Sequence, residues 1–252
     1  MTLLNKIALL TLTALLSAPL ARADEPPAKE DPPAWCFVLS PLAGTDRNDL
    51  RRPMGRAGTL TLRDRGPMYG LFAIGIHRNW VLSNFLFFAD VNETDVWGNL
   101  FFANYYTNAG EPVGWNLGAG HLYHGITTSR GDITVQAPMV KTGPVFRVSA
   151  LKLTLNPYIG YAWERTEAPR AGATEDGAYL YGLTLNWRWR MLEAGLNFYR
   201  QDNRDTNESY NVVRARLIGM INRRWGLCAR ADYAEHQTTD DFSVLAGPVV
   251  MF

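Results

Sequence analysis

Basic residues recur at alternate positions in the second half of the chain, where they could bind anions. Seven of them share one face of their predicted strands: Arg147, Lys152, Arg188, Arg190, Arg214, Arg216 and Arg230. Arginine presents a planar fork of N–H donors that matches carboxylate and phosphate groups. Three acids, Glu164, Glu193 and Asp232, share that face, which leaves it with excess positive charge. Two interpretations stay open: an anion-selective pore lining, or arginines that pair with the acids and tyrosines and fill a closed interior.

A second candidate for chemistry is the histidine pair in the segment Gly120–Gly125, with Ser129 beyond it. Nucleophilic catalysis needs a serine beside a histidine that a third residue orients. His121 and His124 are three positions apart, so on a regular strand they point to opposite faces and cannot share a site. A metal site on these two residues would also need a nearby carboxylate. We therefore expect no catalytic residues, no metal and no cofactor, with His121 facing outward near a rim.

The two cysteines, Cys36 and Cys228, could form a disulfide in an oxidising compartment. A disulfide needs Cα atoms within roughly 7 Å, and neighbouring strands lie about 4.8 Å apart. If residues 35–42 form the first strand, they lie two strands from Cys228, which is too far. A bridge would therefore place Cys36 in an inserted N-terminal segment.

The elements that position these residues are strands, because apolar and polar residues alternate over runs of roughly 10–15 residues. In the clearest run, residues 178–190, one face is apolar and aromatic: Tyr179, Tyr181, Leu183, Leu185, Trp187 and Trp189. The other face is polar, because successive side chains of a strand point to opposite faces and here one face is apolar and the other contacts polar surroundings. These strands are longer than the usual sandwich strand, and the aromatic residues sit near the ends of the apolar stripe, as at two membrane interfaces.

The turns between the predicted strands alternate in length. Residues 189–191 and 222–225 form tight turns, whereas 165–177 and 202–208 are predicted as longer charged loops, an alternation typical of a membrane barrel. Several acids in these loops could bind calcium, but their spacing is not that of an EF-hand. We expect solvated surface loops.

The N-terminus of the chain predicts export. Residues 1–23 have a positive n-region at Lys6, an apolar core and an A-x-A cleavage site. Residues 24–33 are charged and proline-rich, which predicts a disordered lead-in. Beyond residue 23 there is no apolar stretch long enough for a transmembrane helix, and the formal net charge of +1 gives no reason to expect a nucleic-acid partner.

The last residues alternate up to a terminal aromatic: Phe242, Val244, Ala246, Pro248, Val250 and Phe252. This resembles the closing strand of Gram-negative outer-membrane β-barrel proteins, whose terminal aromatic is recognised by the barrel-assembly machinery. The resemblance implies a transmembrane antiparallel up-and-down β-barrel in the outer membrane, with Phe252 on the periplasmic side and outer-membrane lipids and lipopolysaccharide as surroundings.

Counting back from Phe252 gives eleven strands, near 240–252, 225–237, 208–223, 191–202, 177–190, 150–165, 132–148, 112–126, 95–107, 79–91 and 67–77. Single-chain bacterial barrels have even strand numbers, so one more strand comes from residues 34–64. We predict twelve strands over residues 34–252, with ten as the alternative.

Two segments, 79–95 and 96–106, are apolar on both faces, which a water-filled lumen should not show. We considered that residues 34–57 form either the first strand or a plug packed against them. Pro138, Pro144, Pro157 and Pro248 fall inside predicted strands, where each removes a ladder donor and predicts a bulge or a strand end.

The leading functional prediction is a narrow channel for small anionic solutes. Two alternatives stay open: a closed structural or adhesive barrel that acts through its extracellular loops, and a lipid-modifying outer-membrane hydrolase.

Overall fold

The computed structural model describes residues 35–53, 59–91, 94–128, 131–169, 172–206, 208–236 and 239–252. The predicted signal peptide 1–23, the lead-in 24–33, and Ser129 lie outside the described residues. Among the described residues, no helix is long and apolar enough to cross a membrane.

Twelve strands account for most of the described chain. Their bounds are β1 Cys36–Pro53, β2 Thr59–His77, β3 Trp80–Val91, β4 Thr94–Tyr106, β5 Val113–Thr128, β6 Gly131–Val148, β7 Leu153–Ala168, β8 Gly172–Trp189, β9 Leu192–Asn203, β10 Ser209–Met220, β11 Trp225–Glu235 and β12 Thr239–Met251. A single turn of 3₁₀ helix, Ser149–Leu151, joins β6 to β7. The predicted count of twelve is confirmed.

Each strand pairs antiparallel with the next, and β1 pairs with β12, so the sheet closes into a barrel. The closing pair runs from Val38 opposite Met251 to Leu50 opposite Thr239. At its end the Phe252 amide donates to the Phe37 carbonyl at 2.9 Å, and the Phe37 amide donates back to Phe252 at 3.2 Å. The predicted fold, an all-antiparallel barrel, is confirmed. Because the sheet closes on itself it has no free edge, and a free edge would leave backbone groups without hydrogen-bond partners in lipid.

Residues 36–53 form β1 and pair on both sides, with β12 and with β2. The plug considered for residues 34–57 therefore does not occur over 36–53. Residues 34 and 54–57 lie outside the described residues. The second candidate for the missing strand, residues 58–63, belongs to the start of β2 from Thr59 onward.

The barrel has two rims. The terminal rim carries Trp35, Phe252 and the turns 78–79, 107–112, 149–152, 190–191 and 221–224. At the opposite rim each odd-numbered strand ends and the next even-numbered strand begins. The charged segment 165–177, predicted as a long loop, is mostly a hairpin, because β7 and β8 stay paired up to Ala168 opposite Gly172.

The outward faces of the strands form an apolar belt between two aromatic girdles. At the terminal rim Trp80 packs on Tyr105 with ring centroids 5.1 Å apart, and Trp187 and Trp189 lie side by side. Towards the opposite rim Trp97 packs on Tyr123 at 4.7 Å and Tyr161 packs on Trp163 at 4.9 Å. Between them large aliphatic side chains stay exposed, such as Leu217 at 48% and Ile159 at 61%. This exterior matches the hydrocarbon core and interfaces of a membrane.

Pro138, Pro144, Pro157 and Pro248, the four prolines predicted to disturb their strands, cause neither a bulge nor a strand end. The β6–β7 register is the same on both sides of Pro144, with Phe146 opposite Leu155 and Met139 opposite Ala162. Inward polar side chains complete the ladder instead: Asn156 Nδ2 donates to the Pro144 carbonyl at 2.8 Å, and Ser40 Oγ donates to the Pro248 carbonyl at 2.8 Å. The predicted bulges were wrong because these side chains satisfy carbonyl groups at the proline positions.

The strands that read as apolar on both faces form one wall of the interior. Inward side chains of β1, β2, β3, β10, β11 and β12 make a buried cluster that includes Val38, Leu42, Phe72, Phe85 and Leu245. Because residues on six different strands fill this part of the interior, no separate plug is needed there. Most of the polar inward side chains lie on β5 to β10, together with a smaller apolar cluster of Ala162, Ala178 and Leu180.

Candidate functional site: the barrel lumen

A cavity of about 540 Å³ occupies the interior of the barrel. It is bordered by residues from the terminal rim, such as Lys152 and Arg188, and by residues nearer the opposite rim, such as Glu164 and Tyr210. On the side of the buried apolar cluster it is bordered by Phe72, Ile74 and Val81. Further apolar residues from β4, β5, β6 and β8 also border it: Leu100, Phe102, Leu122, Met139 and Leu180. The cavity therefore extends along much of the barrel, with an apolar wall on one side and a mixed, largely polar wall on the other.

Charged side chains of one sign dominate the cavity lining. Among the described residues, eight cations border it: Arg78, Lys141, Arg147, Lys152, Arg188, Arg214, Arg216 and Arg230. Three acids of the described part of the chain border it: Glu164, Glu193 and Asp232. The positive excess predicted from alternation is thus present in the cavity lining, and it is larger than predicted because Arg78 and Lys141 add to it.

Two of the central arginines are neutralised by acids. Arg216 Nη2 lies 2.6 Å from Glu193 Oε1, and Arg230 Nη2 lies 2.7 Å from Asp232 Oδ2. Arg230 also lies over the Phe85 ring, 3.7 Å from its centroid, while Arg216 lies 5.1 Å from the Phe72 centroid. Both guanidinium groups therefore lie against aromatic rings of the apolar wall.

Two further central cations have no carboxylate within 4 Å among the described residues. Lys141 Nζ lies between the rings of Phe102 and Tyr158, 4.7 and 4.8 Å from their centroids. Arg214 Nη2 donates to the Tyr199 hydroxyl at 3.2 Å, and its guanidinium lies over the same ring. Aromatic faces stabilise a cation without neutralising it, so the middle of the lumen keeps positive charge.

A hydrogen-bonded amide cluster holds the polar wall rigid. Asn116 Nδ2 donates to Asn156 Oδ1 at 2.7 Å, and all three buried asparagines, Asn104, Asn116 and Asn156, are at most 6% exposed. On the neighbouring strands the Tyr158 and Thr184 hydroxyls both donate to Asn197 Oδ1, at 3.1 and 3.0 Å. These hydrogen bonds link β5, β7, β8 and β9 and restrict the side-chain arrangement of the wall.

Six of the seven predicted pore-lining residues border the cavity, and Arg190 does not. Arg190 lies in the β8–β9 turn with φ of 52° and its guanidinium over the Trp189 ring, 4.9 Å from the centroid. Lys152 also lies in a turn, with φ of 54°, but at the mouth of the cavity. Alternation misplaced Arg190 because its period of two ends where the strand ends.

Sequence reasoning missed two of the cavity cations, Arg78 in a turn and Lys141 on β6. Lys141 could have been found. It lies on the same strand and has the same parity as Arg147, so alternation alone would have placed it inward. We had expected Pro138 and Pro144 to shift the phase of this strand. The uninterrupted register across both prolines removes that concern and places both Lys141 and Arg147 inside.

The disulfide considered between Cys36 and Cys228 does not form: both cysteines are free, and Cys36 lies in the first strand, the arrangement expected to place it too far away. Cys36 begins β1, whereas Cys228 points into the buried cluster from β11, with β12 between them. His121 and His124 point to opposite faces, as predicted. His124 packs edge-on against Phe87 inside the barrel, with ring centroids 5.6 Å apart. Among the described residues, no group of three or more His, Cys, Asp or Glu side chains could hold a metal.

A closed antiparallel sheet with an apolar belt, two aromatic girdles and a polar wall inside defines a transmembrane β-barrel. Comparison with solved structures agrees. The chain is similar to the translocator domain of the autotransporter NalP from Neisseria meningitidis, with 14% identity and a TM-score of 0.53 over 98% of this chain and 96% of that one. The chain thus has the fold of outer-membrane β-barrels.

Two porins are more distant. The NanC porin has 12% identity and a TM-score of 0.48, over 81% of this chain and 98% of that one. The anion-selective porin from Comamonas acidovorans has 8% identity and a TM-score of 0.40, over 87% and 99%. These two likenesses carry no argument about the function of this chain. No protein-family model and no curated protein matches the sequence.

Proposed function

We propose that this barrel resides in the outer membrane and is a narrow channel for small anionic solutes. The observation that carries the proposal is the lining of the 540 Å³ cavity, with eight cations against three acids. Charged side chains at close quarters set the ion preference of a pore, and arginine and lysine attract carboxylate and phosphate groups.

The positions of the cations favour a path along the lumen. Arg147, Lys152 and Arg188 border the cavity at the terminal rim, and Lys141 and Arg214 follow in the middle of the barrel. An anion that leaves the rim would meet these two next, and neither is neutralised by a carboxylate within 4 Å. Several weak sites in sequence allow an ion to enter and also to leave.

The size of the lumen favours small solutes. The apolar cluster and the arginines that rest on it occupy one side of the interior, so the cavity is confined to the other side. A twelve-stranded barrel is near the size at which side chains still fill much of the interior. We therefore expect a small single-channel conductance and exclusion of large solutes.

The test is single-channel recording of the refolded mature chain in a planar bilayer with a KCl gradient. We expect a reversal potential of the sign that Cl⁻ selectivity gives, larger at low salt because mobile ions screen the lining at high salt. The double variant Lys141→Gln and Arg214→Gln should move the reversal potential towards zero.

The matched control is Arg223→Gln together with Arg224→Gln, which removes the same charge from the exposed β10–β11 turn outside the cavity lining. This variant should keep the anion preference. Cation preference of the wild type, or no conductance from correctly folded barrels, would overturn the proposal, and the second result would favour the closed structural barrel.

A further inference from the structure

A second cavity, of about 600 Å³, lies at the terminal rim between the β6–β7 turn and the β8–β9 turn. It crosses the strand ends from the lumen side, where Thr154 points inward, to the lipid side, where Val148 and Leu153 point outward. Four cations line it: Arg147, Lys152, Arg188 and Arg190. We propose that this rim pocket binds the phosphate headgroup of an anionic phospholipid in the adjoining leaflet.

The charge of the pocket is not neutralised within the barrel. None of its four cations lies within 4 Å of a carboxylate among the described residues. Arg147 is held in place by its Nη1, which donates to the carbonyls of Asn108 and Glu111 at 3.0 and 2.9 Å. Carbonyl groups orient the guanidinium but leave its positive charge, so an anion can still bind beside it.

The two turns hold their cations at unusual backbone positions. Lys152 and Arg190 both have positive φ, 54° and 52°. Glycine adopts this conformation without steric strain and is the residue expected there. Other residues rarely have positive φ, but tight turns between strands require it, as at Arg78 and Asn108 of the same rim. Here each of the two turns carries a long basic side chain into the same pocket.

The pocket also has the apolar side that a lipid requires. Val148 and Trp189 are 37% and 49% exposed and belong to the outward face of the barrel. Arg190 stacks on Trp189, which keeps its charge at the level of the aromatic girdle, where lipid headgroups begin. A soluble anion would not use this apolar side, so a phospholipid, with its acyl chains along the belt, is the better occupant.

The test compares lipid binding by the refolded mature chain, measured by native mass spectrometry from mixed micelles that contain phosphatidylglycerol or phosphatidylcholine. We expect preferential retention of phosphatidylglycerol. The double variant Lys152→Gln and Arg190→Gln should lose this preference by about 25-fold, since each basic residue near a lipid surface contributes roughly fivefold. Conductance plays no part in this readout, so the result is independent of the proposed channel.

Two further variants make the result specific. Arg223→Gln with Arg224→Gln removes the same charge from another turn of the same rim and should leave the preference unchanged. Arg190→Lys keeps the charge and should keep most of the preference. If the Gln double variant fails to fold, judged by heat-modifiable gel mobility, the single variant Arg190→Gln replaces it, with an expected loss of about fivefold.

Three outcomes would overturn the proposal. The first is equal retention of the two lipids by the wild type. The second is an equal loss in the two double variants. The third is binding of inorganic phosphate that depends on Lys152 and Arg190 while no lipid preference exists, which would make the pocket a site for a free anion.

Discussion

The Arg230 guanidinium lies 3.7 Å from the ring centroid of Phe85, although the two residues stand on β11 and β3, on either side of the barrel closure. Arg230 is only 9% exposed, and its charge is balanced by Asp232 two residues away, at 2.7 Å. The contact links the polar lining to the apolar wall. It explains how the same lumen can contain both the buried apolar cluster and several cationic side chains.

The buried Arg230–Asp232 ion pair should contribute more to the free energy of unfolding than an exposed pair of the same geometry. Asp232→Asn removes the negative charge beside a buried guanidinium and should lower the free energy of unfolding by about 1–3 kcal/mol. Urea unfolding of the barrel in lipid vesicles measures it. The chain supplies a matched control: Arg200 and Asp202 have the same spacing and the same 2.7 Å distance, but their side chains are 50% and 39% exposed.

Because solvent screens that exposed pair, Asp202→Asn should change the free energy of unfolding by less than about 1 kcal/mol. Equal effects of the two substitutions would show that burial of Arg230 does not govern the strength of its ion pair.

Asn156 supplies hydrogen bonds to carbonyl groups of prolines in the sheet, and we expect the barrel to be less stable without them. Its Nδ2 donates to the carbonyls of Pro144 and Pro157 at 2.8 and 3.2 Å, and its Oδ1 accepts from Asn116. Asn156→Leu should leave these buried groups without partners and lower the free energy of unfolding by about 2 kcal/mol or more. Asn186→Leu, at an inward and half-buried position of β8, is the control and should cost less. A neutral Asn156→Leu would mean that water satisfies the proline carbonyls.

The sequence predicted which face of a strand a residue lies on better than it predicted which side chains contact each other inside the barrel. Arg188, Arg214 and Arg216 were placed inward because the period of two follows directly from strand geometry. Alternation carries no information about which strands face each other across a lumen, so the contact of Arg230 with Phe85 could not be predicted. Nor could the outward position of Arg190, since a turn with positive φ breaks the period.

The apolar segments show the same limit from another direction. Phe85 and Leu100 are inward and apolar. From the sequence, the explanation for this pattern was a plug formed by part of residues 34–57. Only the closure of β1 on β12 brings Val38, Leu42 and Leu245 next to this region. The alternation within one strand defines which face each residue lies on. Which side chains pack against each other across the barrel depends on how many strands close it.

Gly143 predicts that β6 and β7 approach each other too closely for a side chain. A Cβ at this position would collide with the Pro157 carbonyl oxygen. Gly143→Ala should therefore force the strands apart and lower the free energy of unfolding by about 1–3 kcal/mol, seen as a lower yield of the folded, heat-modifiable form. Gly110→Ala is the control, because nothing lies within 4 Å of its added Cβ. If both variants fold with the same yield, the close approach is not rigid.

Glu193 predicts the sign of a change in selectivity. Its carboxylate neutralises Arg216 at 2.6 Å and borders the cavity. Glu193→Gln frees the positive charge of Arg216 in the lumen, so the reversal potential in a KCl gradient should move further towards the Cl⁻ limit, most strongly at low salt. Glu167→Gln is the matched control, because Glu167 pairs with Arg165 on the exposed β7–β8 hairpin, outside the cavity. It should leave the reversal potential unchanged. A shift towards cation preference in Glu193→Gln, or equal shifts in the two variants, would show that the charge beside Arg216 does not act on the permeating ion.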